Sequence, residues 1–92
     1  MIQSFADKET KTFFETGVTR KFNRIAASAL RKLVALDEAV RLVDLNLPPG
    51  NRLEALKGDR QGQHSIRINN QYRVCFKWEA DGPHNVEIVD YH

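Results

Sequence analysis

The chain has 92 residues, 41% hydrophobic and 28% charged, with a net charge of +2, which allows one domain over 1–92 with one modest core. No apolar run approaches the ~20 residues of a membrane helix, and MIQSFADKE lacks the basic-then-apolar layout of a signal peptide. Cys75 is the single cysteine and makes no internal disulfide, so a cytoplasmic protein held by packing, without membrane contact, is expected.

In chain order, Ile2 to Phe5 suits a short first strand. Asp7 caps a helix running to about Thr16, and Gly17 ends it. Thr19 caps a second helix, in which Phe22, Ile25, Ala26, Ala29, Leu30, Leu33 and Leu36 recur at three- and four-residue spacing. Asp37 is a candidate cap for a short third helix through Val43. Pro48, Pro49 and Gly50 then stop helix and open a loop.

Beyond the loop the period becomes two. A short strand over Arg52–Leu56 leads into Lys57-Gly58-Asp59-Arg60. His64, Ile66 and Ile68 alternate with Ser65 and Arg67; Tyr72, Val74, Phe76 and Trp78 alternate with Arg73, Cys75 and Lys77. Asp81-Gly82 signals a hairpin, and Val86, Ile88 and Val89 mark a last strand. Helices followed by strands predict an α+β fold. Asn69-Asn70-Gln71 must act as a three-residue loop for both apolar sets to share a face. That register sets Ile68 against Tyr72, Ile66 against Val74, and Arg67 against Arg73 on the outer face. Two arginines directly opposed repel unless an anion lies between them or both are solvated.

Charge is unevenly spread. Residues 20–32 carry Arg20, Lys21, Arg24, Arg31 and Lys32 with no acid. This segment reads first as a solvated helix face and second as an RNA contact. Residues 52–77 are also basic, and residues 78–92 hold acids without Lys or Arg. A basic middle folded against an acidic tail suits a polyanion site with a carboxylate in it. The chain closes on Asp90-Tyr91-His92, three proton-handling groups after an apolar strand. Fixed cations beside such groups are what phosphodiester cleavage without a metal requires. His92 is the best acid/base candidate, because an ordinary histidine pKa of about 6.5 lies near working pH. Asp90 shares parity with Val86 and Ile88, and Tyr91 with Glu87 and Val89, so the two should face opposite sides. His64, His84 and His92 have no metal-site spacing. His64 reads as a hydrogen-bonded core residue and Cys75 as unreactive.

The run LEALKGDRQGQHSIRINNQYRVCF, followed by VEIVDYH, resembles the RelE/HigB-type toxins of bacterial toxin–antitoxin pairs, the HigB branch in particular. The resemblance implies N-terminal helices packed on a curved antiparallel sheet, the RelE-like fold. It implies a metal-free endoribonuclease, without a cofactor, that cuts messenger RNA in the ribosomal A site. There the ribose 2′-hydroxyl attacks the adjacent phosphate and the 5′-oxygen leaves. Lys57 and Arg73 would hold the scissile phosphate, Asp90 and His92 would move protons, and Tyr91 would orient the nucleotide, with Arg60 and Arg67 as further RNA contacts. The implied partners are the ribosome, mRNA and a helix-turn-helix antitoxin of the HigA type, with operator DNA reached only through the antitoxin.

One position departs from the family pattern. HigB relatives often carry His before the lysine–glycine run, where this chain has Glu54. Glutamate, with an ordinary pKa of about 4.3, suits a base better than an acid. Either Glu54 acts as base with His92 as acid, or catalysis is weakened; pairing of Glu54 with Arg52 or Lys57 is the structural alternative. The alternative function is an RNA- or ribosome-binding inhibitor of translation that cuts little or nothing.

Overall fold

The computed structural model describes residues 1–91; His92 lies outside the described residues. Helix α1 spans Lys8–Thr16. The Asp7 carboxylate accepts from the Thr10 amide at 3.2 Å, satisfying one of the donors a helix start leaves open. Gly17 ends the helix at φ +75°, a backbone angle open to glycine, and its amide donates to the Phe13 carbonyl.

Helix α2 spans Ala26–Glu38, so it starts later than the apolar spacing predicts. Thr19 does cap: its hydroxyl accepts from the Phe22 amide at 3.1 Å. What it opens is a turn. Phe22 sits at φ −107°, ψ 24°, and Asn23–Ile25 form a 3-10 turn before the α-helix begins. This departure sends the Phe22 ring into the core, 6.4 Å from Phe13 and edge-on to Tyr72 at 6.3 Å. From there Ala29, Leu33 and Leu36 are fully buried, each leucine worth about 1.5–3 kcal/mol of transfer from water.

Asp37 does not cap a third helix. It lies inside α2, and its carboxylate accepts from the Ile2 amide at 2.8 Å, tying the chain start to the helix end. The turn that follows, Leu42–Asn46, is 3-10 and is organised by Asp44, which accepts from the Val40 and Arg41 amides. Those bonds hold the Asp44 carboxyl below its ordinary pKa.

Four antiparallel strands follow in the order β1-β2-β3-β4: Glu54–Ala55, His64–Arg67, Tyr72–Glu79 and Gly82–Asp90. The first is shorter than the expected Arg52–Leu56. Ile66 pairs with Val74 and Arg67 with Arg73, as the three-residue loop requires. Asn69 builds that loop, its side-chain oxygen accepting from the Gln71 and Tyr72 amides at 2.8 and 2.7 Å. Both helices pack on the face carrying Ile66, Val74, Phe76, Val86 and Ile88.

The expected first strand is reduced to a single parallel bridge between Phe5 and Val86. It still covers the outer edge of β4, where Val86 donates to the Ser4 carbonyl and the Ala6 amide donates to Val86. Further along, the buried Thr10 hydroxyl accepts from the Ile88 amide at 3.3 Å. The edge is thereby closed to pairing with another chain.

Candidate active site

The sheet face opposite the helices is polar by alternation. The register aligns Glu54, Ser65, Cys75 and Glu87 in one row across all four strands, and Arg67, Arg73 and Val89 in the next. Arg73 is the anchor of this face. Its Nε donates to the Ser65 hydroxyl at 2.7 Å, and Nη2 donates to the Arg52 carbonyl at 2.7 Å. Arg52 sits in the left-handed region at φ +46°, which turns its carbonyl to that contact. Nη1 makes no hydrogen bond among the described residues, so a fixed donor is left for an anion.

Arg60 comes from the β1–β2 connection and reaches Glu87 with 2.7 Å between Nη1 and Oε1. The same nitrogen donates to Gln63 at 3.1 Å. The hydrogen bond that Arg60 donates to Glu87 raises the Arg60 pKa, and burial opposes the shift. Arg60 and Arg73 flank Cys75, which is fully buried although it belongs to the polar face. Burial pushes its thiol up from the ordinary 9.0, and the two arginines only partly offset this, so the sulfur stays protonated.

Lys57 is exposed just before Gly58, whose φ of +64° turns the chain there. Glu54 is exposed in β1 and makes no ion pair with Arg52 or Lys57 among the described residues. Arg67 donates to the Asn70 side chain. Each of the opposed arginines of β2 and β3 thus has neutral hydrogen-bond partners.

Strand β4 ends at Asp90, so the alternation does not carry on to Tyr91. Asp90 is opposite Tyr72 and takes a hydrogen bond from Gln71 Nε2 at 3.1 Å. The Tyr91 amide donates to the Gln71 carbonyl at 2.6 Å, so the β2–β3 turn grips this segment. Tyr91 is exposed. Glu54, Arg60, Arg67 and Arg73 are therefore gathered on or beside one face. Asp90 stands at its rim on the helix side, and His92 falls outside the described residues.

Ser65, Glu87 and the Arg52 carbonyl were not singled out from the sequence. Ser65 and Glu87 share face parity with Arg73, which is the one signal that marks them. His64 is on the helix side, stacked on Phe76 at 6.3 Å. Its buried Nδ1 lacks a hydrogen-bond partner among the described residues, contrary to the bonded core histidine expected. Among the described residues no group of His, Cys, Asp and Glu is arranged to hold a metal ion. No helix is long and apolar enough to cross a membrane.

Two helices on a four-stranded antiparallel sheet with an arginine-bearing open face define a RelE-like fold. A YoeB–YefM complex from Staphylococcus aureus superposes with a TM-score of 0.61 at 18% identity, over 100% of this chain and 95% of that one. The family model of HigB, the RelE-like toxin of type II toxin–antitoxin systems, matches residues 3–92. Toxin HigB-1 of Vibrio cholerae is 42% identical over 84 residues, covering 89% of this chain and 87% of the relative. Endoribonuclease HigB of Proteus vulgaris is 33% identical over 93 residues, covering all of both. The chain belongs to the HigB family of toxins.

Proposed function

We propose that this HigB-family endoribonuclease cuts messenger RNA in the ribosomal A site, acting in the cytoplasm as a single domain over 1–92. The observation that carries the reading is the Arg73 guanidinium, fixed by Ser65 and the Arg52 carbonyl, with Nη1 not used among the described residues. A preorganised cation of this kind stabilises the charge that develops on phosphorus without reorganising at the moment of reaction. Lys57, exposed and on the connection after β1, supplies the second cation.

In the proposed reaction the ribose 2′-oxygen forms a bond to the adjacent phosphorus and the bond from phosphorus to the 5′-oxygen breaks. Glu54 takes the 2′-hydroxyl proton and His92 gives a proton to the leaving 5′-oxygen. The products are a 2′,3′-cyclic phosphate and a 5′-hydroxyl end. Tyr91 orients the nucleotide, Asp90 assists proton transfer from the rim, and Arg60 and Arg67 hold flanking phosphates. No metal or cofactor is called on for any step. Family membership supplies an antitoxin partner; a helix-turn-helix antitoxin of the HigA type, through which the complex reaches operator DNA, completes the proposal.

Primer extension on mRNA from cells expressing the protein tests the reading. New 5′ ends within translated codons are expected. Arrested translation with intact messages would instead favour an RNA- or ribosome-binding inhibitor that does not cut.

A further inference from the structure

A second feature lies outside the polar face. Between the approach to α2 and the β2–β3 turn is a recess of about 390 Å³, lined by Lys21, Phe22, Arg24, Asn69, Gln71 and Tyr72. This size falls within the range of small-ligand sites, about 300–1,000 Å³. Its chemistry is mixed in a particular way. Lys21 and Arg24 bring two exposed cations. Phe22 and Tyr72 bring rings set edge to face, with Tyr72 half-buried. Asn69 and Gln71 bring amides that are only partly used. The Asn69 oxygen is occupied by the turn amides and the Gln71 nitrogen by Asp90, which leaves a donor on Asn69 and an acceptor on Gln71.

We propose that this recess holds one nucleotide of the RNA next to the segment being cut. Its phosphate lies on Lys21 and Arg24, its base lies against Tyr72, and the Asn69 and Gln71 amides meet the base edge. Cations that follow the backbone together with an aromatic side that accepts any base are the working parts of single-strand binding sites. The Lys21 ammonium is available to a phosphate. Its contact with Glu9 is 3.8 Å long with both groups more than half exposed, and an ion pair of that kind is worth little. It also lies 5.5 Å over the Phe22 ring, which keeps it at the recess mouth.

Continuity with the cutting face argues for RNA over an acidic peptide. Gln71 forms the wall between the two places: its side chain holds Asp90 and its carbonyl holds the Tyr91 amide. A strand leaving the polar face around the end of β4 therefore arrives at the recess. The proposal rests on the endoribonuclease reading and adds to it a fixed place for a flanking nucleotide.

The test is amide chemical-shift mapping of the full-length protein with a 2′-O-methyl trinucleotide, which lacks the attacking hydroxyl and so is not cut. Shifts are expected at Arg24, Asn69, Gln71 and Tyr72, and Arg73→Ala should keep them. Lys21→Ala with Arg24→Ala, both at exposed positions, should weaken binding at least about tenfold. The same pair should flatten the log–log salt slope by about 0.7, the value for the one single-strand phosphate that is no longer neutralised. Shifts confined to Ser65, Arg73 and their strands would overturn the recess and leave the cutting face standing. No shift at either place would overturn the recess and leave the ribosome-bound cutting reading to the cleavage assay. Displacement of the trinucleotide by an equal concentration of hexaglutamate would overturn the nucleotide in favour of an acidic peptide.

Discussion

Ser65→Ala is a small change with a calculable effect on the proposed site. It deletes the hydroxyl that accepts from Arg73 Nε at 2.7 Å and leaves the Nη2 bond to the Arg52 carbonyl in place. A hydrogen bond with one charged partner is worth about 1.5–3 kcal/mol. At about 1.4 kcal/mol per decade, complete loss of alignment would cost about 10–150-fold in rate. Because the Nη2 bonds to the Arg52 carbonyl and, at 3.5 Å, to the Ser65 carbonyl survive, the expected loss is about tenfold, well short of that for Arg73→Ala. The assay is single-turnover cleavage on programmed ribosomes, with thermal melting alongside. A double-mutant cycle separates positioning from packing: in an Arg73→Ala background, Ser65→Ala should change the rate by less than about twofold. A parent rate for Ser65→Ala, or an undiminished effect in the absence of Arg73, would refute the positioning argument.

The other predictions concern single groups. Arg73→Ala and Lys57→Ala should each slow cutting by about 10²–10³ and relieve growth inhibition while the melting curve of Lys57→Ala stays that of the parent. Parent-rate cleavage by both folded variants would remove the phosphate site. His92→Ala should lower the cleavage rate by about 10²–10⁴ with little change in melting, and should abolish the limb of the pH profile set by the acid. An unchanged profile would make Asp90-Tyr91-His92 a structural segment. The Cys75 thiol, raised by burial, keeps its proton in the folded chain at a pH where the unfolded thiol ionises. Its contribution to stability is therefore complete below the ordinary value of 9.0 and is lost as pH rises toward the folded value. Melting between pH 7 and 10 should fall more steeply for the parent than for Cys75→Ala, and equal slopes would contradict the burial argument.

Local chemistry accounts for what was readable beforehand. Asp7 and Gly17 bound α1 because a cap and a left-handed terminus act within a few residues. The Ile66–Val74 register follows from alternation and a loop length alone. Tertiary demands account for the rest. Asp37 has the chemistry of a cap, but its carboxylate is taken by the Ile2 amide from the far end of the fold. Phe22 fits a helical stripe, but reaching Phe13 and Tyr72 takes it off helical angles.

The candidate site follows the same division. Arg73, Lys57 and the Asp90-Tyr91-His92 segment stand out by residue type and motif. Ser65 and Glu87 do not, since a serine or a glutamate in a strand is unremarked until its cross-strand partner is known. The opposed pair Arg67 and Arg73 was correctly placed, while its stabilisation by Asn70, Ser65 and the Arg52 carbonyl depends on contacts no spacing reveals.

The most direct test of the central claim is a reconstituted cleavage reaction. Purified parent and Arg73→Ala proteins are each mixed with one mRNA, either bare or bound to ribosomes with a defined codon in the A site, and the RNA ends are mapped. The account predicts cuts at the A-site codon by the parent only when ribosomes are present. Those cuts leave a 2′,3′-cyclic phosphate and a 5′-hydroxyl, and Arg73→Ala should make them at least about 100-fold more slowly. An intact message on stalled ribosomes, or equal cutting by the Arg73 variant, would contradict it.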